Sequence, residues 1–263
     1  GCIFCSSQGS GDFAGSARLS IAEQIRQGKA DISSKRPVHS YIAYFQAFTN
    51  TYAPVETLRA LYMEAIADPE VKILSIATRP DCLGADVLAL LDEINHIKPV
   101  WVELGLQTIH PETSAYIRRG YELSVFEQAV KELRAIGITV IVHTILYLPG
   151  ETKDDMLDMI HYLNHMDIQG IKLQLLHVLT HTDLAADYEK HPFYIPDMQD
   201  YIQFLGTCIA QLNPEIVIHR LTGDGPKDLL IAPLWTSNKR TVLNQLHSHL
   251  KEQDIWQGKE YYV

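Results

Sequence analysis

The stretch 100–136, VWVELGLQTIHPETSAYIRRGYELSVFEQAVKELRAI, carries the pattern on which the fold turns. It opens with a β-branched and apolar run (100–106), passes through a polar turn, and continues into apolar residues at helical spacing (124–136). The same alternation recurs along the chain from residue 38. Strands are predicted at 38–45, 71–77, 100–106, 138–146, 171–176 and 215–218, and helices at 55–67, 84–97, 124–136, 152–166 and 197–212. Leu58, Leu61, Ala65 and Ile66 illustrate the helical period. Strands separated by helices run parallel with right-handed crossovers, which leaves an open doubly wound sheet or a closed or partial barrel. No Gly-rich turn of the dinucleotide-binding kind follows any strand, and the unusual polar segments all fall just after strand ends: QAFTNT, TRPD, LQT, LPGE and HVLTHT. In a β/α barrel those ends build the active site, so a partial barrel is the expected α/β class.

Length and composition set the frame. The 263 residues suit one domain of this kind, and 46% hydrophobic with 21% charged residues excludes disorder and collagen-like repeats. No apolar run is long enough to span a membrane. Twenty-two Lys and Arg against 32 Asp and Glu give a net charge of −10, so any nucleic acid must be met by a local patch. Lys227, Lys239, Arg240 and Lys251 are the residues available for one. Four cysteines are too few for a disulfide scaffold, and a cytoplasmic setting is expected, with no targeting peptide in the segment that opens on Gly1. Residues 1–263 read as a single domain with a C-terminal extension of loop and helix from about 219; 181–196 reads as a mobile loop.

Cys2 and Cys5 stand three apart in GCIFC, with Ser-Gly-Asp following at 10–12. Two such thiolates can reach one metal from a tight loop. An iron–sulfur ligand pair, half a zinc site, a dithiol redox pair and coincidence are all compatible with the spacing. Cys82 and Cys208 are isolated and read as structural. Arg79 and Asp81 read as a surface ion pair capping the helix from 84, Gln107 as satisfying buried backbone, and LPGE as a turn into a helix with Thr152 as N-cap.

Taken together, GCIFCSSQGSGDF (1–13), YFQAFTNTYAP (44–54), TRPDCL (78–83), ELGLQT (103–108), RRG (118–120), HTILYLPGE (143–151), GIKLQLLHVL (170–179) and HRLTGDGP (219–226) resemble, in order, the radical S-adenosylmethionine superfamily. The resemblance is to the branch that includes the radical domain of the Elongator catalytic subunit and its shorter bacterial relatives. It implies a partial (β/α)6 TIM-type barrel whose first strand and first cluster cysteine lie upstream, about ten residues before Cys2. It also implies a 4Fe-4S cluster held by three cysteines, with S-adenosylmethionine on the open iron and a 5′-deoxyadenosyl radical that abstracts hydrogen from substrate.

By position, the resemblance implies Cys2 and Cys5 as cluster ligands and Phe4 as the aromatic neighbour of adenine. It implies Thr49, with Gln46 nearby, at the methionine amino end, Gln107 at the ribose, and Arg119 at the methionine carboxylate, where a guanidinium fork suits the geometry. His143 is implied as a ribose contact, and Leu176 with His177 as the stretch beside adenine. Relatives often carry a glutamate where this chain has Ala77, so Thr78 is the substitute for that amino-group contact. Arg79, Asp81, His219 and Arg220 are the substrate candidates. The expected partners are S-adenosylmethionine, a reducing electron donor and a transfer RNA carrying a wobble uridine, with no membrane. The alternatives are a radical enzyme acting on a small metabolite or tetrapyrrole precursor, and a non-catalytic iron–sulfur or zinc-binding barrel.

Overall fold

The computed structural model describes residues 1–6, 9, 11, 14–34, 37–46, 48–223 and 225–261. Ser10 and Asp12 of the Ser-Gly-Asp segment, and Asp224 of HRLTGDGP, lie outside the described residues.

The elements in chain order are α1 (Ile21–Ser33), β1 (Tyr41–Phe45), α2 (Val55–Ile66), β2 (Val71–Thr78), α3 (Ala85–Asn95), β3 (Val100–Gln107), α4 (Pro111–Tyr116), α5 (Leu123–Ala135), β4 (Thr139–Leu146), α6 (Lys153–Asn164), β5 (Gly170–Leu175), β6 (Val178–Leu179), α7 (Asp183–Lys190), α8 (Met198–Gln211), β7 (Val217–Arg220), β8 (Leu230–Ala232) and α9 (Lys239–Glu252). Six strands form one sheet in the order β1-β2-β3-β4-β5-β7, and β6 with β8 forms a small second sheet. The registers of β1 with β2, β2 with β3 and β5 with β7 are parallel. The order follows the chain without reversal. A doubly wound sheet needs a reversal at its switch point, so the fold class is α/β with the strand sequence of a partial β/α barrel.

The chain divides into two compact units, one of Gln8–Gly105 with Ser124–Ile141 and the other of Gly1–Ser7, Leu106–Leu123 and Val142–Val263. In the first, α2 buries Leu58, Tyr62, Ala65 and Ile66, α3 buries Leu90, Leu91 and Ile94, and α5 buries Phe126 and Leu133. Leu74, Ile76, Val102 and Leu104 on the strands are fully buried. α5 ends on Gly137, whose φ of 72° is open to glycine at little steric cost; its N–H donates to Arg134 O and that of Ile138 to Leu133 O. α1 starts at a capping box in which Ser20 and Glu23 satisfy each other's backbone.

In the second unit, α6 buries Met156, Met159, Ile160 and Leu163, and α8 buries Tyr201, Ile202, Leu205 and Cys208. Thr152 caps α6 through a capping box with Asp155, as its place after LPGE predicts.

Two sequence expectations are corrected. Residues 183–190 of the expected mobile loop form α7, because Thr182 accepts the N–H of Ala185 and Leu184 turns into the core. The C-terminal extension adds a strand to its loop and helix: β8 pairs antiparallel with β6.

Candidate functional site

The cysteine turn belongs to the second unit. Cys5 N–H donates to Cys2 O at 3.2 Å, closing one tight turn that brings both sulfurs to the same side. Ile3 anchors it. The Ile3 N–H donates to Ile117 O at 3.3 Å, and its carbonyl accepts the N–H of Leu184, the second residue of α7, at 2.9 Å. Its side chain, 5% exposed, packs with Ile117, Ile145, Leu148, Leu176, Val178 and Leu184, and Phe4 packs against this cluster. The two helices that hold the turn are tied together by Tyr116 Oη donating to Asp187 at 2.5 Å and by the Arg118–Asp183 ion pair.

Both cysteines are half-buried, and the Cys5 thiol shares a hydrogen bond with Cys2, which together with burial pushes its pKa up. Two converging soft sulfur donors fit iron of a cluster and fit hard cations poorly. Among the described residues no set of three His, Cys, Asp or Glu side chains converges on one point. Cys208 is wholly buried within α8, consistent with a structural place.

Gln107 ends β3 with φ of 68°, a left-handed conformation uncommon for a residue with a side chain. The next residue, Thr108, is fully buried; its hydroxyl donates to Glu151 Oε1 and accepts the N–H of His110 at 3.0 Å. Burial pushes the Glu151 carboxyl up, and its Oε2 has no hydrogen-bond partner among the described residues. Thus the LPGE glutamate braces the turn that follows β3.

Arg119 is 3% exposed. Its Nη1 donates to Thr108 O at 2.6 Å and Leu106 O at 3.2 Å, its Nε donates to Tyr121 O at 3.1 Å, and the guanidinium lies 4.7 Å from the Tyr121 ring centre. Burial lowers its pKa, against the opposing pull of Tyr121, Glu122 and Cys2. The guanidinium therefore fastens the backbone on both sides of Gln107, work for which the sequence offered no signal.

His143 is half-buried on β4. Leu176 follows β5, donates its N–H to Leu146 O at 3.1 Å and shares the hydrophobic cluster with Ile3. The His177 ring hydrogen-bonds Thr236 Oγ1 at 3.0 Å and lies so close to Gly223 that a Cβ there would sit 2.4 Å from its Cε1. On β7 the register with β5 shifts: Ile218 pairs Ile171, but Arg220 pairs Lys172, leaving His219 as the extra residue of a bulge. Arg220 Nη1 reaches Gln174 Oε1 at 3.4 Å.

Gln46, Thr49, Thr78, Arg79 and Asp81 belong to the first unit. Gln46 and Thr49 are half-buried in the segment after β1. Thr78 ends β2, buried, with its hydroxyl bonded to that of Thr51, which also donates to Cys82 O. Asn50 binds Ala77 O through its N–H and its amide Nδ2, so the loops after β1 and β2 are joined at the position where Ala77 stands. Arg79 grips both oxygens of Asp81 at 2.9 and 2.7 Å. The ion pair expected there is present, but it does not cap α3: the N-cap is Gly84, without a side-chain bond, and the pair instead spans the short 3-10 turn Pro80–Cys82.

Sequence reasoning passed over a buried carboxylate in this unit. Glu103 on β3, 5% exposed, accepts from Tyr44 Oη and from Ser75 Oγ, each at 2.8 Å. The signal was an acid inside an otherwise apolar strand of a parallel sheet, where near-continuous apolar runs are usual. Lys172 and Gln174 on β5 carry the same signal.

The superfamily model for radical SAM proteins matches residues 1–163, and that of the Radical_SAM C-terminal domain matches residues 168–252. The chain is 42% identical to the protein YtqA of Bacillus subtilis (strain 168) over 259 residues, covering 98% of this chain and 80% of that protein. Elp3 of Methanocaldococcus infernus, in a form lacking its N-terminus, superposes with a TM-score of 0.76 at 15% identity, covering 90% of this chain and 59% of that one. The coproporphyrinogen III oxidase HemN of Escherichia coli, a radical SAM enzyme, superposes with a TM-score of 0.56 at 18% identity, covering 80% of this chain and 50% of that one. At these identities the two structures speak for the fold.

Proposed function

Since this chain belongs to the radical S-adenosylmethionine superfamily, and so is an enzyme whose cofactors are a 4Fe-4S cluster and S-adenosylmethionine, we propose that it takes hydrogen from a nucleoside of transfer RNA, a wobble uridine. The observation that carries the chemistry is the Cys2–Cys5 turn, with paired sulfurs on a backbone clamped at Ile3. When bound, the cluster and S-adenosylmethionine together supply the radical that removes a hydrogen atom from an unactivated carbon.

The chain's own residues hold and orient. Cys2 and Cys5 bind two irons, and the nearby positive charge of Arg119 favours the Cys2 thiolate. A third cysteine completes the loop of the family. Phe4 and Leu176 share one apolar cluster, so the cysteine turn and the stretch beside adenine are held in register by the same packing, which also keeps water from that side. Gln107, raised into a strained backbone by the Arg119 and Thr108 bonds, and His143 address the ribose. His177 lies beside adenine, and Arg119 stands at the methionine carboxylate. Gln46, Thr49 and Thr78 serve the methionine amino end, and Arg79, Asp81, His219 and Arg220 meet substrate. An external low-potential donor delivers the electron.

We treat 1–263 as one working domain, because neither compact unit is continuous in sequence and the division cuts through β3 and β4. Among the described residues no helix is long and apolar enough to cross a membrane, which accords with a cytoplasmic setting and no membrane partner. The choice of transfer RNA rests on the motif resemblance to the Elongator radical domain. The net charge of −10 favours a second reading, a small metabolite such as a tetrapyrrole precursor. Family membership sets aside a non-catalytic metal-binding module.

The test is anaerobic reconstitution with iron and sulfide, followed by dithionite and S-adenosylmethionine. Formation of 5′-deoxyadenosine is expected, and none from cluster-loaded protein defeats the proposal. Binding of the holoenzyme to bulk transfer RNA across a salt series then decides the substrate class. Salt-sensitive binding supports RNA, and no binding at low salt hands the case to the small-metabolite reading.

A further inference from the structure

Strand β5 reads Gly-Ile-Lys-Leu-Gln-Leu, with Ile171, Leu173 and Leu175 buried. Period-two alternation puts Lys172 and Gln174 together on the opposite face. On the paired strand β7, the bulge at His219 brings Arg220 onto that face: it is the register partner of Lys172 and hydrogen-bonds Gln174. Two cations therefore rise from directly paired positions of neighbouring strands, roughly 4.8 Å apart at the backbone, an arrangement that repels itself. Lys172 is only 6% exposed, which adds a desolvation cost to the repulsion.

The half-buried Arg220 differs from the other strand-end and loop arginines. Arg59, Arg79 and Arg118 each bind a carboxylate. Among the described residues Arg220 has no carboxylate partner, and its bond to the Gln174 amide is long, at 3.4 Å. Arg220 is the last residue of β7 and Gln174 the next to last of β5, so the group sits at the carboxyl ends of parallel strands, where α/β folds bind ligands. The loop that follows is anchored, with Tyr201 Oη donating to Leu221 O at 2.8 Å and Thr222 buried.

We infer that Arg220, Lys172 and Gln174 form a subsite for an oxyanion, a phosphate or carboxylate carried by the substrate. The guanidinium offers a planar fork, the Gln174 Nε2 a further donor, and the Lys172 charge a fixed field beneath them. An anion there relieves the repulsion between the two cations. Building the subsite on the edge bulge accounts for the break in register at His219. The inference deepens the proposal that substrate is met by Arg220 and rests on it.

The experiment uses the reconstituted holoenzyme under anaerobic conditions. Inorganic phosphate and, in a separate arm, acetate are titrated at constant ionic strength while the thermal unfolding midpoint is followed, so that screening is held fixed. The wild type is expected to gain stability saturably with one of the two anions, and that arm names the oxyanion. Arg220→Gln is expected to need at least tenfold more of it. Arg220→Lys, which keeps the charge and gives up the fork, is expected to fall between them and serves if Arg220→Gln does not fold. No saturable response of the wild type to either anion, or an unchanged response in the variants, overturns the subsite. Deoxyadenosine formation is assayed on the same wild-type preparation. Cleavage without anion binding removes the subsite and leaves the enzyme class intact, whereas anion binding without cleavage does the reverse.

Discussion

Replacing Arg119 with methionine separates two jobs that the sequence assigns to one residue. If Arg119 served only S-adenosylmethionine, the cofactor-free chain would not miss it. The structure gives it three bonds to backbone carbonyls, at Leu106, Thr108 and Tyr121. A hydrogen bond from a charged donor contributes about 1.5–3 kcal/mol, and an orphaned buried carbonyl costs about 1–3 kcal/mol. Against this stands the desolvation of a guanidinium, which lowers its pKa here and returns several kcal/mol when the charge is removed. The net loss in Arg119→Met is therefore roughly 3 kcal/mol, less than the sum of the three bonds. For a domain near this size that is a fall of about 6–12 °C in the unfolding midpoint. Calorimetry of the cofactor-free chain measures it directly. The exposed neighbour Arg118, whose side chain is 59% accessible in its ion pair with Asp183, is the control, and Arg118→Met is expected to cost no more than about 1 kcal/mol. A midpoint for Arg119→Met within about 2 °C of wild type would refute the reasoning, because the carbonyl bonds would then carry no net stability.

Leu184→Ala should loosen the cysteine turn, since Leu184 packs on Ile3 at 1% exposure and truncating a buried leucine costs about 2–5 kcal/mol. Alkylation of Cys2 and Cys5 in the cofactor-free chain should accelerate several-fold while that of Cys208 stays slow, and equal rates would remove the clamp from the account. Cys5→Ala should lose the cluster, read as iron and sulfide content, with the far-ultraviolet circular dichroism unchanged; full iron content would end the ligand assignment. Glu151→Gln keeps an acceptor for Thr108 and removes a carboxyl whose pKa burial raises. A raised carboxyl pKa stabilises the wild type at low pH and is lost as pH rises through the folded value. The variant should therefore unfold at a higher temperature than wild type near pH 8, with the advantage shrinking toward about pH 4.5, and a pH-independent difference would contradict it.

The strands and crossover helices were legible because burial writes itself into period. Val100–Gln107 and Leu123–Ala135 differ from the predicted bounds by a single residue at an end. The site was legible only where chemistry needs a rare residue at fixed spacing, as at Cys2 and Cys5. Helix α7 was hidden because its composition is that of a loop, and its existence depends on one cap at Thr182 and one buried contact at Leu184. The brace from Glu151 through Thr108 to Arg119 joins residues far apart in sequence, and no local pattern distinguishes such a carboxylate from a solvated one.

The amino-acid order alone thus determined an α/β chain with its polar motifs after successive strands, since alternation of apolar residues is a local consequence of which faces are dry. Tertiary structure alone decided that Ile3 is clamped between Ile117 and Leu184, that Arg119 spends its donors on the backbone around Gln107, and that a bulge turns Arg220 toward Lys172. Those outcomes depend on which distant carbonyls and side chains meet once the strands are paired, and a register shift of one residue would have sent each of them to another face.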